Sequence, residues 1–183
     1  MKSKPYELLL SILVPSIRSA PVNSPTDTLP FDPPGPADVW VRTCVDAPFA
    51  RVVSGFGAPL FDTLNPPFPR ARLIAMEGNR VGDRIELQLD FGLLRQDWTG
   101  VIIREGMLEG ECWFVDRGER LPFFLRQWQH LHLMQANGPQ QTYITDAIRF
   151  TPAPWIPRFI MRGMLTFLMR YRSPRYKKYF VIC

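Results

Sequence analysis

Apolar and polar residues alternate with a period of two over most of the stretch from Ala71 to Pro152, and the period changes to that of a helix after Pro154. Within the first region "ARLIAMEG", "DRIELQLDFG", "QDWTGVIIREG", "ECWFVDRG", "FFLRQWQHLHLMQ" and "QTYITDAIRFTP" read as six successive strands. Turn signals separate them at Glu77-Gly78-Asn79, Glu105-Gly106, Arg117-Gly118-Glu119 and Asn137-Gly138-Pro139. The second run is the cleanest, with Ile85, Leu87, Leu89 and Phe91 on one face and Arg84, Glu86, Gln88 and Asp90 on the other. That is a sheet with one wet face, and tight turns between neighbours make it an antiparallel meander. Upstream, "VWVRTCVDAP" reads as a first strand, with Val39, Val41, Thr43 and Val45 opposite Trp40, Arg42, Cys44 and Asp46. Asp46 and Pro48 suit a helix start, and "FARVVSGFGAPLFDTLNPP" has helical spacing broken by Gly55, Gly57 and Pro59, so two short helices are expected.

The final stretch puts Ile156, Phe159, Ile160, Gly163, Met164, Phe167, Leu168 and Tyr171 on one apolar stripe of a long helix that begins at Pro157. Ser173-Pro174 is expected to end or kink it. Arg172, Arg175, Lys177 and Lys178 crowd its end, where cations suit the helix dipole. One strand, two short helices, about six antiparallel strands and a long C-terminal helix make an α+β chain. Its sheet has an apolar face and its helix an apolar stripe, and the two should pack together.

The N-terminal region behaves differently. Pro21 to Asp38 carries six prolines, which remove amide donors and fix φ, so it reads as a linker or extended arm outside the core. The chain thus divides into residues 1–38, a short apolar helix plus linker, and the domain proper at 39–183. The apolar run from Leu8 to Ile17 superficially resembles a signal peptide. Glu7 borders it, Pro15 interrupts it, no small-residue cleavage site follows, and it is too short to span a bilayer. A short helix docked on the domain or on a partner is the expectation.

The element order resembles the START-like helix-grip superfamily, also called SRPBCC. Three stretches are similar to bacterial ligand-binding members: "VRTCVDAPFARVVSGF", "FVDRGERLPFFLRQWQHLH" and "TDAIRFTPAP". The hairpin in which W-x-H-x-H is followed by T-D-x-I-x-F, from Trp128 to Phe150, is the most specific piece. The resemblance implies a curved antiparallel sheet of six to seven strands wrapped around the C-terminal helix, with a hydrophobic pocket between them. It implies no single activity, because the superfamily holds carriers, cyclases, sensors and co-chaperones.

The chemistry of the chain centres on its two histidines, His130 and His132, one residue apart in the sixth strand of the chain. They share a face with Phe124, Arg126, Trp128 and Met134. Neither face of that strand is cleanly polar, so the pattern leaves open which one looks inward. On the following strand Ile144, Ile148 and Phe150 share a face with Asp146, and the turn at Asn137-Gly138 can bring Asp146 close to the histidines. Asp116, on the strand before them, can join. Three readings compete: a satisfied structural His/Asp network, a polar anchor for a greasy ligand, and metal binding or acid–base catalysis. A His-x-His pair chelates but zinc needs a third protein ligand, which only Asp116, Asp146 or Glu111 can supply here. No nucleophile motif, phosphate loop or paired-carboxylate signature is present.

Binding of a hydrophobic small molecule, a lipid, isoprenoid or polyketide-like compound, is therefore the expected function. Trp98, Trp128, Ile144, Ile148, Met164, Phe167 and Leu168 would line the pocket, and His130, His132 and Asp146 would form its polar end. The enzyme alternative is a cyclase, dehydratase or hydrolase that uses His130 or His132 with Asp146. A third class is a membrane-surface or protein-interaction module.

Composition narrows this only slightly. With 183 residues, nearly half of them hydrophobic, the chain can bury one sizeable core. A net charge of +5 is modest, and its cations are not interleaved with aromatics, so nucleic acid is not an expected partner. The apolar N-terminal segment and the cationic helix end together allow contact with an anionic membrane surface. Three dispersed cysteines (Cys44, Cys112 and Cys183) suggest neither a disulfide framework nor a zinc knuckle, and a reducing, cytoplasmic setting is expected. Neither a cofactor nor a bound metal is called for by any motif.

Overall fold

The computed structural model describes residues 28–181. The apolar run from Leu8 to Ile17 and Cys183 lie outside the described residues.

Seven strands form one antiparallel sheet in the spatial order β1-β7-β6-β5-β4-β3-β2. They are β1 (Val39–Val45), β2 (Arg70–Met76), β3 (Arg84–Asp90), β4 (Arg95–Leu108), β5 (Glu111–Arg120), β6 (Leu125–Ala136) and β7 (Thr142–Pro152). Two short helices, α1 (Phe49–Ser54) and α2 (Ala58–Leu64), follow β1, and α3 (Arg158–Val181) closes the chain. Each of the six strands expected between Ala71 and Pro152 forms, and consecutive strands pair from β2 onward, but the turns expected at Glu105-Gly106 and Arg117-Gly118-Glu119 lie inside β4 and β5, which run on to Leu108 and Arg120. The β6–β7 turn needs Gly138, whose φ of +79° is easy only for a residue without Cβ. This is a curled half-barrel gripping a long helix.

The inner face of the sheet carries two apolar clusters. Val45, Phe114, Met134 and Ile144 pack with Val52 of α1, Leu60 of α2, and Tyr176 and Phe180 of α3. Val39, Val41, Trp128, Ile148 and Phe150 pack with Met161, Leu165 and Met169. Fully burying one such side chain contributes roughly 1.5–3 kcal/mol, so this helix face is a main source of stability. At the α1–α2 joint, a Cβ on Gly55 would lie 2.7 Å from the ring of Phe180, so the joint needs a glycine to close on α3.

Three expectations about the helices need correction. The face of α3 turned to the sheet is Met161, Leu165, Met169, Tyr176 and Phe180; Phe159, Ile160, Met164 and Phe167 of the expected stripe point to solvent, while Leu168 is half-buried. The helix has apolar residues on two sides, and the stripe that supplies partners to the sheet's polar residues is the one that docks. Second, α3 runs through Pro174 to Val181. Pro174 offers no amide to the Arg170 carbonyl, but the turns beyond it bury Tyr176 and Phe180 and hold the helix. Third, Asp46 does not cap α1, whose N-terminal position is Pro48 with no side-chain cap bond; Asp46 instead accepts from Gln141 Nε2 at 2.8 Å.

The described part of the proline-rich stretch, residues 28–38, is an extended arm, but one that enters a core. It folds back through a bridge between Leu29 and Gly35 and lies on the outer face of the sheet. Leu29 and Phe31 are fully buried there against Val115, Leu131, Leu133 and Ala147. The arm is held by Gln129, which accepts from the Asp32 amide at 2.8 Å, and by Arg104, which donates to the Phe31 carbonyl at 3.0 Å. Arg149 lies over the Phe31 ring at 4.7 Å. Both faces of β5, β6 and β7 are therefore covered, which is why the pattern of β6 does not reveal its inner side.

Removing Phe31 should leave a cavity under the arm. Phe31→Ala is expected to cost about 3 kcal/mol, read as a lower urea midpoint; a change below roughly 1 kcal/mol would mean the arm contributes little to the core.

Candidate functional site

Between the two inner apolar clusters the sheet carries a group of polar side chains. Register determines who meets whom. Asp116 of β5 pairs with His130 of β6, and His132 of β6 pairs with Asp146 of β7. Trp128, His130, His132 and Met134 thus face inward with Ile144, Asp146 and Ile148, toward α3. Asp116, His130 and Asp146 are buried, with 7%, 4% and 2% exposure.

The contacts form one connected set. His130 Nε2 lies 2.9 Å from Asp146 Oδ1. Trp128 Nε1 donates to Asp116 Oδ1 at 3.0 Å. Asp116 Oδ2 faces both imidazoles, at 3.3 Å from His132 Nε2 and 3.8 Å from His130 Nδ1. The two rings are 3.9 Å apart between centroids. From α3, Tyr176 Oη lies 3.4 Å from Asp146 Oδ1 and Arg172 Nη1 3.7 Å from the same oxygen. His132 Nδ1 is buried without a hydrogen-bond partner, its nearest carboxylate oxygen being Asp146 Oδ1 at 3.6 Å.

Electrostatics assign the protons in part. Burial, reinforced by the neighbouring His132, pushes His130 down to about 4 despite its bond to Asp146. Burial would raise Asp146, but the His130 bond and the nearby Arg172 hold it down at about 2. Near neutrality Asp146 is therefore a carboxylate accepting from His130 Nε2–H. Tyr176 is pushed well above its ordinary value by burial and by Asp146, and stays a neutral phenol. Such an array can orient a polar group, pass a proton, or hold a cation. Asp116, His130 and His132 each offer one ligand atom, all within 4.8 Å of one another.

Phe56 covers this group. It sits between α1 and α2, flanked by Gly55 and Gly57, and meets Phe114, His132, Tyr176 and Phe180 at ring separations of 6.1 to 6.5 Å. Phe114 stacks on His132 at 4.6 Å.

Of the residues singled out in the sequence, Trp128, His130, His132, Ile144, Asp146 and Ile148 come together on the inner face. Trp98 joins through an edge contact to Trp128 at 4.9 Å between centroids, and Leu168 packs beside the second cluster. Met164 and Phe167 do not join; they are 41% and 68% exposed on the far side of α3. Arg172, Tyr176 and Phe56 belong to the site but were not anticipated. Arg172 was legible in principle: a carboxylate facing the helix needs a cation, and Arg172 is one turn from Tyr176 on the docked face. Two surface depressions, one lined by Asp62, Asn65, Arg70 and Arg95 among others and one on the outer side of α3, include no residue of this cluster.

The sequence matches no protein-family profile and no curated protein. Solved structures do resemble it. An uncharacterized protein of Bacillus thuringiensis superposes with a TM-score of 0.57 at 12% identity, over 79% of this chain and 98% of that one. A START superfamily protein of Mycobacterium smegmatis gives 0.57 at 9%, over 78% and 95%. The fold is START-like. Norcoclaurine synthase of Thalictrum flavum, in complex with a transition-state analogue, shares it with a TM-score of 0.58 at 10% identity, over 78% and 92%. At these identities the START-like likeness concerns architecture alone.

The buried histidine gives stability a pH dependence. In the unfolded chain His130 protonates near its ordinary 6.5, in the folded protein near 4. Protonation between those values favours the unfolded state. Stability is thus full above about pH 6.5 and lost as pH falls toward 4, by on the order of 3 kcal/mol; Asp146 adds a loss of the same sign below its ordinary 3.8. Urea midpoints of chelator-treated protein across this range should fall with pH, and His130→Gln should flatten the fall. An identical slope in the variant would assign the titration to other groups.

Proposed function

We propose that the protein binds a hydrophobic small molecule between the sheet and α3, with Asp116, His130, His132 and Asp146 as the polar end of the site. One observation carries this reading: a buried group of mixed donors and acceptors sits between two apolar clusters on the gripping face of the sheet. A few convergent polar groups in greasy surroundings are the usual make-up of small-molecule sites. Neutral imidazole can donate or accept, which suits a carbonyl or hydroxyl on an otherwise apolar compound. Met134, Met161 and Met169 adapt to varied shapes at low cost. Phe56, held between glycines, is the side chain an entering ligand would displace.

Native mass spectrometry of freshly purified protein, followed by denaturation and identification of what is released, tests this. The expected result is one organic molecule per chain, with uptake in an emptied sample faster by several-fold for Phe56→Ala. A chain that neither retains nor takes up any apolar compound would sink the reading. The enzyme alternative draws on the catalysis that the name of the START-like norcoclaurine synthase announces. It requires turnover to collapse in His130→Ala or His132→Ala while binding survives.

A second reading, contact with an anionic lipid surface, is favoured by the outer side of α3. Phe159 and Phe167 are 76% and 68% exposed there, with Ile160 and Met164 between them. Eight cations and no acidic residue follow Asp146, among them the exposed Arg162 and Arg170 beside the apolar stripe. A second copy of this face, or the N-terminal segment with Lys2, Lys4 and Arg18 against Glu7 alone, would bring cation to cation. Anionic headgroups complement it, and the rings can enter the interface. No helix among the described residues is long and apolar enough to cross a membrane. Full-length protein should sediment with phosphatidylglycerol-containing vesicles and not with phosphatidylcholine alone, and Phe159→Ser/Phe167→Ser should lose most of the binding. Unaltered binding of the double variant would exclude this face.

A further inference from the structure

We infer that Asp116, His130 and His132 form a binding site for one divalent transition-metal ion of the zinc class. The inference concerns the polar end of the site and stands whether or not an organic ligand binds beside it.

Geometry argues first. Four-coordinate zinc holds nitrogen and oxygen ligands at about 2.0–2.1 Å, which sets neighbouring ligand atoms about 3.3 Å apart. Asp116 Oδ2 is 3.3 Å from His132 Nε2 and 3.8 Å from His130 Nδ1. All three atoms fall within 4.8 Å of one another, so small side-chain rotations complete a triangle of ligands. The backbone sets this up: His130 and His132 project from the same face of β6, and the β5 register puts Asp116 directly opposite His130.

The bonding of His130 argues in the same direction. Its Nε2 is engaged with Asp146 Oδ1 at 2.9 Å, which leaves Nδ1 facing Asp116 Oδ2 at 3.8 Å, beyond hydrogen-bond length. No cationic side chain other than the two imidazoles lies within ion-pair distance of Asp116 among the described ion pairs. Among the described ion pairs Arg172 meets Asp146 and not Asp116.

The surroundings are those of a prepared ligand set. Histidine ligands commonly donate their second nitrogen to a carboxylate, which fixes ring and tautomer; Asp146 does this for His130. Trp128 Nε1 binds Asp116 Oδ1 and thereby turns Oδ2 toward the histidines. Two imidazoles and one carboxylate suit zinc, cobalt or iron(II) rather than magnesium or calcium, which prefer all-oxygen sites. The two cysteines among the described residues do not contribute: Cys44 lies on β1 near Asn137, and Cys112 pairs with Met134 on β5, away from Asp116.

Full-length protein stripped with chelator and titrated with Zn²⁺ by calorimetry tests the inference. One equivalent should bind, and chelation should lower the melting temperature of the loaded protein. Asp116→Asn keeps an oxygen for Trp128 and should fold, yet bind Zn²⁺ at least about 100-fold more weakly; Asp146→Asn should lose about 10- to 100-fold. Cys44→Ser/Cys112→Ser should bind as the parent does. Loading with Co²⁺ gives a second readout on the unaltered protein: visible ligand-field bands without a thiolate charge-transfer band. No saturable uptake would overturn the inference and leave a proton in the gap. Equal affinity in Asp116→Asn, or a thiolate band, would overturn it by assigning the metal to other residues.

Discussion

The carboxylate of Asp146, buried on the gripping face, is the constraint from which much of the architecture follows. A carboxylate taken out of water costs several kcal/mol unless it is paired and hydrogen-bonded. Asp146 cannot escape by slipping register, since a one-residue shift of β7 would also expel Ile144, Ile148 and Phe150 from the core. Its partners must come to it. His130 arrives from β6 across the ladder, and Arg172 and Tyr176 arrive from α3 one helical turn apart. That pair fixes the rotation of the helix about its axis. The stripe containing Met161, Leu165 and Met169 then faces the sheet, and the more aromatic stripe from Phe159 to Phe167 is left outside.

This explains what could and could not be read from the chain. The strands were legible because alternation is a local signal, and the START-like order of elements followed from it; the glycine turns read at Gly106 and Gly118 were not, because both residues lie inside strands. The juxtaposition of Asp146 with the histidines was legible because one tight turn connects their strands. The docked face of α3 was not, because hydrophobicity alone ranks Phe159, Ile160 and Phe167 above a stripe interrupted by Arg172. Reading it correctly needs the sheet's polar residue considered together with the helix's cation, an interaction between positions 26 apart in the chain. The arm failed for a related reason. Proline density describes backbone behaviour, and it hid the fact that Leu29 and Phe31 between the prolines are large enough to cover the back of the sheet.

The two faces of the sheet divide the work. On the outer face the arm, Trp40 and Trp113 pack against Val115, Leu131 and Leu133, which makes that side a core. The inner face is therefore free to carry residues that a purely structural core would avoid. Two carboxylates and two imidazoles in contact beneath a helix contribute little net stability, since the desolvation of each group offsets most of what pairing returns. Hydrophobic residues of similar volume would fold as well or better. The polar make-up of the cluster is what the proposed ligand site and the proposed ion site both rest on.

The position of Phe56 adds to that argument. A residue whose task was only to close the core would sit on a rigid element, as Leu60 does on α2. Phe56 sits instead on the joint between two short helices, with Gly55 pressed against Phe180 on one side and Gly57 extended on the other. The backbone of the joint is itself tied down: the Gly55 amide donates to the Arg51 carbonyl at 3.0 Å, the Phe56 amide to the Val53 carbonyl at 3.3 Å, and the Phe56 carbonyl accepts from Asn79 Nδ2 at 2.6 Å. The Phe56 ring rests edge-on to His132 and stacks with Tyr176, so the side chain that closes over the polar cluster belongs to a turn and not to a strand or to α3.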